Sequence, residues 1–415
     1  MTARSYTFRD AGLHSSPLRW LNRGGELLRA VGWSGPSLAP SRLEDAARRA
    51  TGLSDFGDRG VREGLEILCE SLETEADLNL FGRLAMKGMI VESLSNRLRL
   101  LDWASRHPEV RQEKIDRPWV ILGLPRTGTT LLSLLLGLDP LARPLLQWEA
   151  SSPVPPPELA TAAEDPRIAA ATRRFEGLMN LNPPIRAMHP MGATLPTECV
   201  TLFFLDLRSL SVETQALVPS YGRWLEETDM RGAYAIHELA LQVLQSRIPT
   251  GSWSLKTPNH LWALELLRVF HPTARLIWTH RDPASVGPSV ASLNTSMQRP
   301  FARHQDPAAI GEEWNRKLRV GVSRGMAYDE KQEDRRWCHH LLYADLMEDP
   351  IAAVHALYAH FGDEVHPLHE RRMQAWMRDR PQETFGRHVY DAADFGFSEA
   401  GLRSTYADYR ERFGI

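Results

Sequence analysis

The stretch Trp119-Val-Ile-Leu-Gly-Leu-Pro-Arg-Thr-Gly-Thr-Thr-Leu-Leu-Ser-Leu-Leu-Leu136 decides the fold of this chain. It begins with an apolar run, Trp119 to Leu124, that is typical of a buried β-strand. A turn of proline, arginine, threonine and glycine follows, and a second apolar run of helical character comes directly after it. This order of strand, loop and helix is typical of a phosphate-binding loop, in which backbone N–H groups and a helix N-terminus converge on an anion. The sequence therefore predicts an anion site after Leu124.

The glycine spacing of this loop is close to that of the P-loop found in nucleotide hydrolases and kinases. Gly123 and Gly128 are followed by Thr129 and Thr130. In the P-loop form a lysine precedes the Ser/Thr, and here Thr129 occupies its place. The positive charge of the loop is Arg126 instead. We therefore expect the loop to hold a phosphate, but not the β,γ-phosphate pair of ATP.

Further apolar runs after this loop predict more strands, each followed by a helix. The predicted strands are Ser252–Lys256, Arg275–His280 and Trp337–Tyr343, and the predicted helices cover residues 259–270, 283–297 and 350–361. Alternation of strands and helices predicts an α/β fold with a P-loop-like parallel sheet flanked by helices. Ligands of such sheets bind at the carboxyl ends of the strands.

The rest of the chain is predicted to be helical. Residues 1–116 place apolar residues at helical spacing and carry no strand signal, so we expect an N-terminal helical region there. Residues 117–415 then form the α/β domain. Between its first two strands we expect a mostly helical insertion at about residues 150–250, in a position suited to a substrate lid.

Polar side chains stand where two of the predicted strands end. Arg281 follows the third strand, where a guanidinium can bind a phosphate through two parallel hydrogen bonds. Ser289 lies about two helical turns further on, so its hydroxyl could reach the same anion. Lys256 ends the second strand, at the sheet edge that also carries Arg126. We interpret Lys256 as a functional residue rather than a solvated strand end.

The composition is that of a large enzyme and excludes several classes of protein. With 415 residues, 43% of them hydrophobic and 24% charged, the chain can bury a sizeable core. A net charge of −3 argues against nucleic acid as a partner. No apolar run is long enough to span a membrane, and the N-terminus has no apolar signal core, which indicates a cytoplasmic location. The three cysteines indicate reduced thiols, and no metal-ligand spacing is present. The oligomeric state leaves no signature in the sequence.

Four pieces of the chain resemble sulfotransferases that use 3′-phosphoadenosine-5′-phosphosulfate (PAPS), and the resemblance covers roughly residues 118–395. Pro125–Leu132 is similar to the family's 5′-phosphosulfate loop. Arg281 with Ser289 is similar to its 3′-phosphate pair. Tyr343–Pro350 resembles the segment whose tyrosine lies near the adenine. Phe385–Gly396 resembles the C-terminal basic segment that closes over the nucleotide in bacterial members, although it departs from the Arg-Lys-Gly form of the cytosolic animal enzymes.

The resemblance implies a reaction and a set of binding residues. It implies transfer of a sulfuryl group from PAPS to a hydroxyl or amine of a small acceptor, with release of 3′,5′-ADP and without a metal. The donor-binding residues that it implies are Arg126, Thr127, Gly128, Thr129, Thr130, Arg281, Ser289, Tyr343, Arg387 and His388. The aromatic and apolar content of the insertion favours a hydrophobic or aromatic acceptor.

The acceptor needs a general base, for which the sequence offers three candidates. In some members of the family a glutamate downstream of the phosphate loop takes this role, and Glu149 is similar in position. His189 is an alternative because imidazole titrates near neutral pH. Glu198 is a third option and could equally orient one of the others. Lys256 would stabilise the negative charge of the transition state.

Two other functions stay open on the sequence alone. A P-loop kinase or nucleotide hydrolase shares the strand, loop and helix, although Thr129 replaces its lysine and Arg281 precedes the acidic residue after the third strand. A non-catalytic nucleotide-binding protein could keep the fold and lack the chemistry. A magnesium requirement would favour the kinase or hydrolase, and release of 3′,5′-ADP would exclude the non-catalytic protein.

Overall fold

The computed structural model describes residues 5–13, 15–185, 191–379 and 387–415. Within these ranges the strands are β1 (Ser5–Tyr6), β2 (Trp119–Gly123), β3 (Ala142–Pro144), β4 (Ser252–Lys256), β5 (Arg275–His280), β6 (Cys338–Leu342) and β7 (Arg387–His388).

Helices surround the strands. The chain before β2 forms α1 (Ser16–Ala30), α2 (Pro40–Thr51), α3 (Gly60–Thr74) and α4 (Leu80–Arg106). Between β2 and β4 lie α5 (Thr129–Leu136), α6 (Gln147–Ser151), α7 (Pro166–Leu181), α8 (Val200–Phe203), α9 (Pro219–Glu227) and α10 (Arg231–Gln245). The remaining helices are α11 (Leu264–Phe270), α12 (Pro283–Gln298), α13 (Pro307–Glu330), α14 (Tyr343–Glu348), α15 (Pro350–His360), α16 (Pro367–Asp379), α17 (Glu399–Thr405) and α18 (Ala407–Phe413).

Five strands form one parallel sheet in the order β3-β4-β2-β5-β6. The central strand β2 pairs with β4 on one side and with β5 on the other. The loops that follow these three strands therefore meet at one edge, the carboxyl edge of the sheet. This arrangement confirms the predicted α/β fold with a parallel sheet flanked by helices.

The apolar residues of β2 explain why both faces of the sheet are covered. Val120 and Leu122 join a core with the N-terminal helices and the helices of the insertion. Trp119 and Ile121 point to the other face and join a core with α5 and α15. Side chains alternate between faces along a strand, so a continuous apolar run needs packing partners on both sides. Each large apolar side chain that is buried in this way contributes roughly 1.5–3 kcal/mol.

Four predicted strands are confirmed, and three other details differ from the sequence expectation. The edge strand β3 was not predicted, because it is short and contains Arg143 and Pro144, which weaken a strand pattern and are tolerated at an edge. The N-terminal region is not purely helical, since Ser5 and Tyr6 pair with β7 in a small parallel sheet. The helix expected at 259–270 is divided into a 3₁₀ segment, Pro258–Trp262, and α11.

The described residues contain no helix with the length and apolar composition that a membrane crossing requires. All three cysteines are buried and free. Within the same residues no group of histidine, cysteine and carboxylate side chains has a metal-binding arrangement.

Candidate active site

The loop after β2 has a backbone that only certain residues tolerate. Gly128 precedes the first residue of α5 and has a φ of +88°. A Cβ atom there would lie 2.7 Å from Leu346 Cδ2 and 3.2 Å from Tyr343 Cδ2. Glycine is therefore required for both conformation and space. Arg126 also has a positive φ, +68°, which is uncommon outside glycine and often marks functional sites.

The hydroxyl of Thr127 is used inside the loop. Thr127 is fully buried, and its Oγ1 donates to the carbonyl oxygen of Leu124 at 2.6 Å. The same oxygen lies 2.6 Å from Thr279 Oγ1 on β5. These contacts fasten the loop to the neighbouring strand. They leave the backbone N–H as the group that Thr127 can offer to an anion.

The structure brings together the three residues predicted to bind the phosphates. Arg126 Nε donates to Ser289 Oγ at 3.1 Å. Arg281 Nη1 donates to the carbonyl oxygen of Arg126 at 2.9 Å. The guanidinium of Arg281 lies over the ring of Tyr343, 4.2 Å from its centroid, because β5 and β6 are neighbours and these residues follow them. Two cations, a hydroxyl and an aromatic ring thus share one edge of the sheet.

The electrostatics of Arg126 favour an anion at this place. Burial lowers the pKa of the Arg126 guanidinium, Tyr390 opposes that shift, and the charge of Arg281 lowers the pKa further. A buried cation beside a second cation is costly to charge, and a bound anion would stabilise both. Tyr390, a residue of the C-terminal segment, is thus one of the groups whose charge acts on Arg126.

Lys256 lies at the same edge and links two elements. It is buried, and its Nζ is 3.4 Å from Thr130 Oγ1 at the start of α5. The same Nζ is 3.2 Å from Glu198 Oε1. The N–H of Cys199 donates to the carbonyl oxygen of Lys256 at 2.9 Å, which fixes the Glu198 segment against the end of β4. Burial raises the pKa of the Cys199 thiol to about 12, so this neighbouring thiol stays protonated.

Glu149 has partners for both of its carboxylate oxygens. Oε1 accepts from Arg143 Nη2 at 2.6 Å, and Oε2 accepts from the N–H of Leu146 at 3.3 Å. The second contact belongs to a cap at the start of α6. Arg143 in turn stacks on Trp253, 4.6 Å from the ring centroid. Only 3% of the Glu149 side chain is exposed.

Several of the predicted site residues are described only in part. His189 lies outside the described residues. Arg387 and His388 form β7, and the backbone of this strand pairs with Ser5 and Tyr6. Thr129 and Thr130 begin α5, with half-buried side chains.

Helix α18, for which no prediction was made from the sequence, supports β5, the strand that leads to Arg281. In α18, the hydroxyl of Tyr409 lies 2.8 Å from Nδ1 of His280, the last residue of β5. The Phe413 ring stacks on His280 with a centroid distance of 3.9 Å, and Arg410 pairs with Asp282 at 3.4 Å. The local sequence at the end of the chain carries no signal for these long-range contacts.

Comparison with known proteins gives the family. The model of the sulfotransferase family matches residues 118–367. The crystal structure of sulfotransferase STF9 from Mycobacterium avium is similar, with 31% sequence identity, a TM-score of 0.82, and coverage of 90% of this chain and 96% of that one. Sulfotransferase STF1 from Mycobacterium tuberculosis H37Rv is also similar, with 30% identity, a TM-score of 0.80, and coverage of 89% and 98%.

None of the curated proteins matches this sequence significantly. The family match nevertheless covers more than half of the chain, and the two structural matches cover nearly all of it. The chain belongs to the sulfotransferase family, whose general activity is sulfuryl transfer.

Proposed function

We propose that this protein transfers a sulfuryl group from PAPS to a hydroxyl or amine of a small apolar acceptor and releases 3′,5′-ADP. The observation that carries this proposal is the contact of Arg126 with both Ser289 and Arg281 beside the phosphate loop. PAPS has phosphate groups at two positions of one adenosine unit, so its binding requires two adjoining anion sites. The loop supplies one, and the Arg281–Ser289 pair supplies the other.

Each predicted residue has a place in this proposal. The backbone N–H groups of Thr127 to Thr130 and the N-terminus of α5 would bind the 5′-phosphosulfate. Arg281 and Ser289 would bind the 3′-phosphate, and Arg126 lies between the two sites. Tyr343 would lie against the adenine. The segment with Arg387 and His388 would close over the nucleotide. These roles require no metal.

Lys256 and the N-terminus of α5 would stabilise the transition state. Negative charge builds on the leaving and transferring oxygens during sulfuryl transfer, as it does in phosphoryl transfer. Lys256 Nζ is within 3.4 Å of the first turn of α5, so it can approach an anion held there. The donors are fixed by the strand and the helix before the reaction begins, and this pre-organisation makes such stabilisation effective.

Among the three candidate bases, the geometry favours Glu198. Its carboxylate lies 3.2 Å from Lys256 Nζ, and 26% of its side chain is exposed, so an acceptor can reach it. The side chain of Glu149 is almost fully buried, and its carboxylate already accepts hydrogen bonds from Arg143 and from the N–H of Leu146 at the start of α6. We therefore propose that Glu198 takes the acceptor proton. Glu149 would keep the Arg143 region in place, and His189 stays an alternative base.

Turnover of PAPS tests this proposal. With PAPS, a metabolite extract and a metal chelator, we expect 3′,5′-ADP and a product heavier by one sulfuryl group in mass spectrometry. With the acceptor so identified, Glu198→Gln should lower kcat by at least about 100-fold, with little change in the Kd of 3′,5′-ADP. The comparison variant Glu149→Gln should lower the melting temperature and should change kcat little.

Two results would contradict the proposal. Phosphoryl transfer from ATP that depends on magnesium, without any turnover of PAPS, would favour a kinase. Full activity of Glu198→Gln would exclude this residue as the base and would direct attention to His189.

A further inference from the structure

A cavity of about 480 Å³ lies between helices α4 and α7. Its volume is within the range of about 300–1,000 Å³ that is typical of small-molecule sites. The wall on α4 is one helical face, since its residues recur every three or four positions. These residues are Phe81, Leu84, Ala85, Gly88, Met89, Glu92, Ser93 and Asn96. The wall on α7 is formed mainly by Arg174, Phe175, Leu178 and Met179.

The two ends of this cavity differ in chemistry. At one end the ring of Phe81 stacks on Phe301, with a centroid distance of 5.7 Å. At the other end Asn96 Nδ2 donates to the carbonyl oxygen of Ser151 at 2.7 Å, and Gln147 Nε2 donates to Ser151 Oγ at 3.0 Å. Phe81 and Asn96 are about 22 Å apart along α4, at 1.5 Å per residue. The cavity is therefore elongated, with one apolar and one polar end.

The polar end adjoins the candidate base. Gln147 Oε1 accepts from the hydroxyl of Thr197 at 2.6 Å, and the next residue is Glu198. The N–H of Thr201, which lines the cavity, donates to the carbonyl oxygen of Glu198 at 3.2 Å. Glu198 in turn pairs with Lys256. A molecule in the cavity would thus present its polar end to the edge of the sheet that carries the phosphate loop.

We propose that this cavity binds the acceptor, and that the acceptor is an elongated, largely apolar molecule with a terminal hydroxyl or phenol. This inference rests on the proposed function and specifies its acceptor class. Glu198 would take the hydroxyl proton while the acceptor oxygen bonds to sulfur and the bond from sulfur to the bridging oxygen of PAPS breaks. A sugar would leave many of its hydroxyls without partners, because the lining is mostly apolar apart from the polar end and the Glu92–Arg174 ion pair, and this costs binding energy.

Two glycines allow a matched test of the cavity. A Cβ atom at Gly88 or at Gly177 would meet no atom within 4 Å, so larger side chains can be introduced at both positions. Gly88 lines the cavity, whereas Gly177 is an exposed residue of α7 that does not. Phenylalanine at position 88 has open space toward the cavity. The same change at position 177 serves as the control, and both remove a glycine from a helix interior.

The test uses calorimetric titration with 4-pentylphenol, glucose and 3′,5′-ADP. Wild type and Gly177→Phe should bind 4-pentylphenol with similar Kd values, and Gly88→Phe should bind it at least tenfold more weakly. All three proteins should bind 3′,5′-ADP equally and should melt at similar temperatures. Glucose should bind to none of them. With PAPS present, Gly88→Phe should raise the KM for 4-pentylphenol.

Other outcomes would overturn the inference. Equal binding of 4-pentylphenol to Gly88→Phe and wild type, or the absence of binding to wild type, would exclude the cavity as the acceptor site. Preferential binding of glucose would contradict the acceptor class. If 4-pentylphenol binding followed the predicted pattern while no protein bound 3′,5′-ADP, the proposed donor would be wrong and the cavity would stand as an apolar ligand site.

Discussion

Replacing Lys256 by methionine should lower the kcat of sulfuryl transfer by about 100- to 1,000-fold, the usual cost of removing one pre-organised charge-stabilising group. Lys256 is buried between Thr130 and Glu198, so its charge is little screened by water. Methionine keeps the length and the apolar stem of the side chain and removes the charge. The Kd of 3′,5′-ADP should change little, because the main nucleotide contacts are assigned to the loop and to Arg281. Steady-state kinetics and calorimetry on the same preparation measure both quantities.

Lys331→Met is the matched control, because 70% of the Lys331 side chain is exposed at the end of α13. This variant should retain full activity. If the kcat of Lys256→Met stayed within about threefold of wild type, Lys256 would not be a group that stabilises the transition state.

Acid should destabilise the fold already above the usual pKa range of carboxylates. His237, His260 and His271 are fully buried in the core around α10. Burial lowers the pKa of His260 to about 3 and that of His271 to about 4, and burial lowers the pKa of His237 well below its usual value. Above pH of about 6.5 both the folded and the unfolded state are neutral at these rings. Below pH of about 6.5 these histidines bind protons in the unfolded chain but stay neutral in the folded chain. The free energy of unfolding therefore falls as the pH is lowered toward about 4.

The size of this effect follows from proton linkage. Each such histidine lowers the free energy of unfolding by about 1.4 kcal/mol per pH unit in that window. Glu213 acts in the opposite sense, because burial raises the pKa of its carboxyl to about 7. Together these three histidines and Glu213 should therefore lower the free energy of unfolding by about 3 kcal/mol per pH unit between pH 6 and pH 5. Urea titrations at several pH values measure the slope.

His237→Leu isolates one contribution to this slope. Neither ring nitrogen of His237 has a hydrogen-bond partner among the described residues, so leucine removes a titrating group without breaking a bond. The slope of the variant should be smaller by about 1.4 kcal/mol per pH unit. An unfolding free energy of wild type that stays constant between pH 6 and 5 would show that these rings do not stay neutral in the folded protein.

The sheet was predictable from the sequence because its strands are short apolar runs that end in glycine or charged residues. Residues such as Val120 and Ile121 specify burial on both faces, whatever the partner elements are. Ala142–Pro144 lacks that pattern, because an edge strand depends on its one neighbour rather than on its own propensity. The pairing of β1 with β7 joins the two ends of the chain and has no local signal at all.

Part of the candidate site was predictable for the same reason. Arg126 and Arg281 follow strands and Lys256 ends one, and parallel strands bring their carboxyl ends to one edge, so the proximity of these residues could be inferred. The pairing of Glu198 with Lys256 could not, because Glu198 lies in an irregular segment of the insertion. The burial of Glu149 depends on Arg143 in the unpredicted strand β3. Its catalytic role stays a prediction.

The central claim is that two adjoining anion sites hold the two phosphate positions of one adenosine. Calorimetric comparison of 3′,5′-ADP with 5′-AMP tests it most directly, because the two nucleotides differ only in the 3′-phosphate and in the charge it carries. A charge-assisted hydrogen bond contributes about 1.5–3 kcal/mol, so wild type should bind 3′,5′-ADP about 10- to 100-fold more tightly than 5′-AMP. Arg281→Ala should lose most of that preference and bind 5′-AMP as wild type does. Equal affinity of wild type for both nucleotides, or an undiminished preference in Arg281→Ala, would contradict the account.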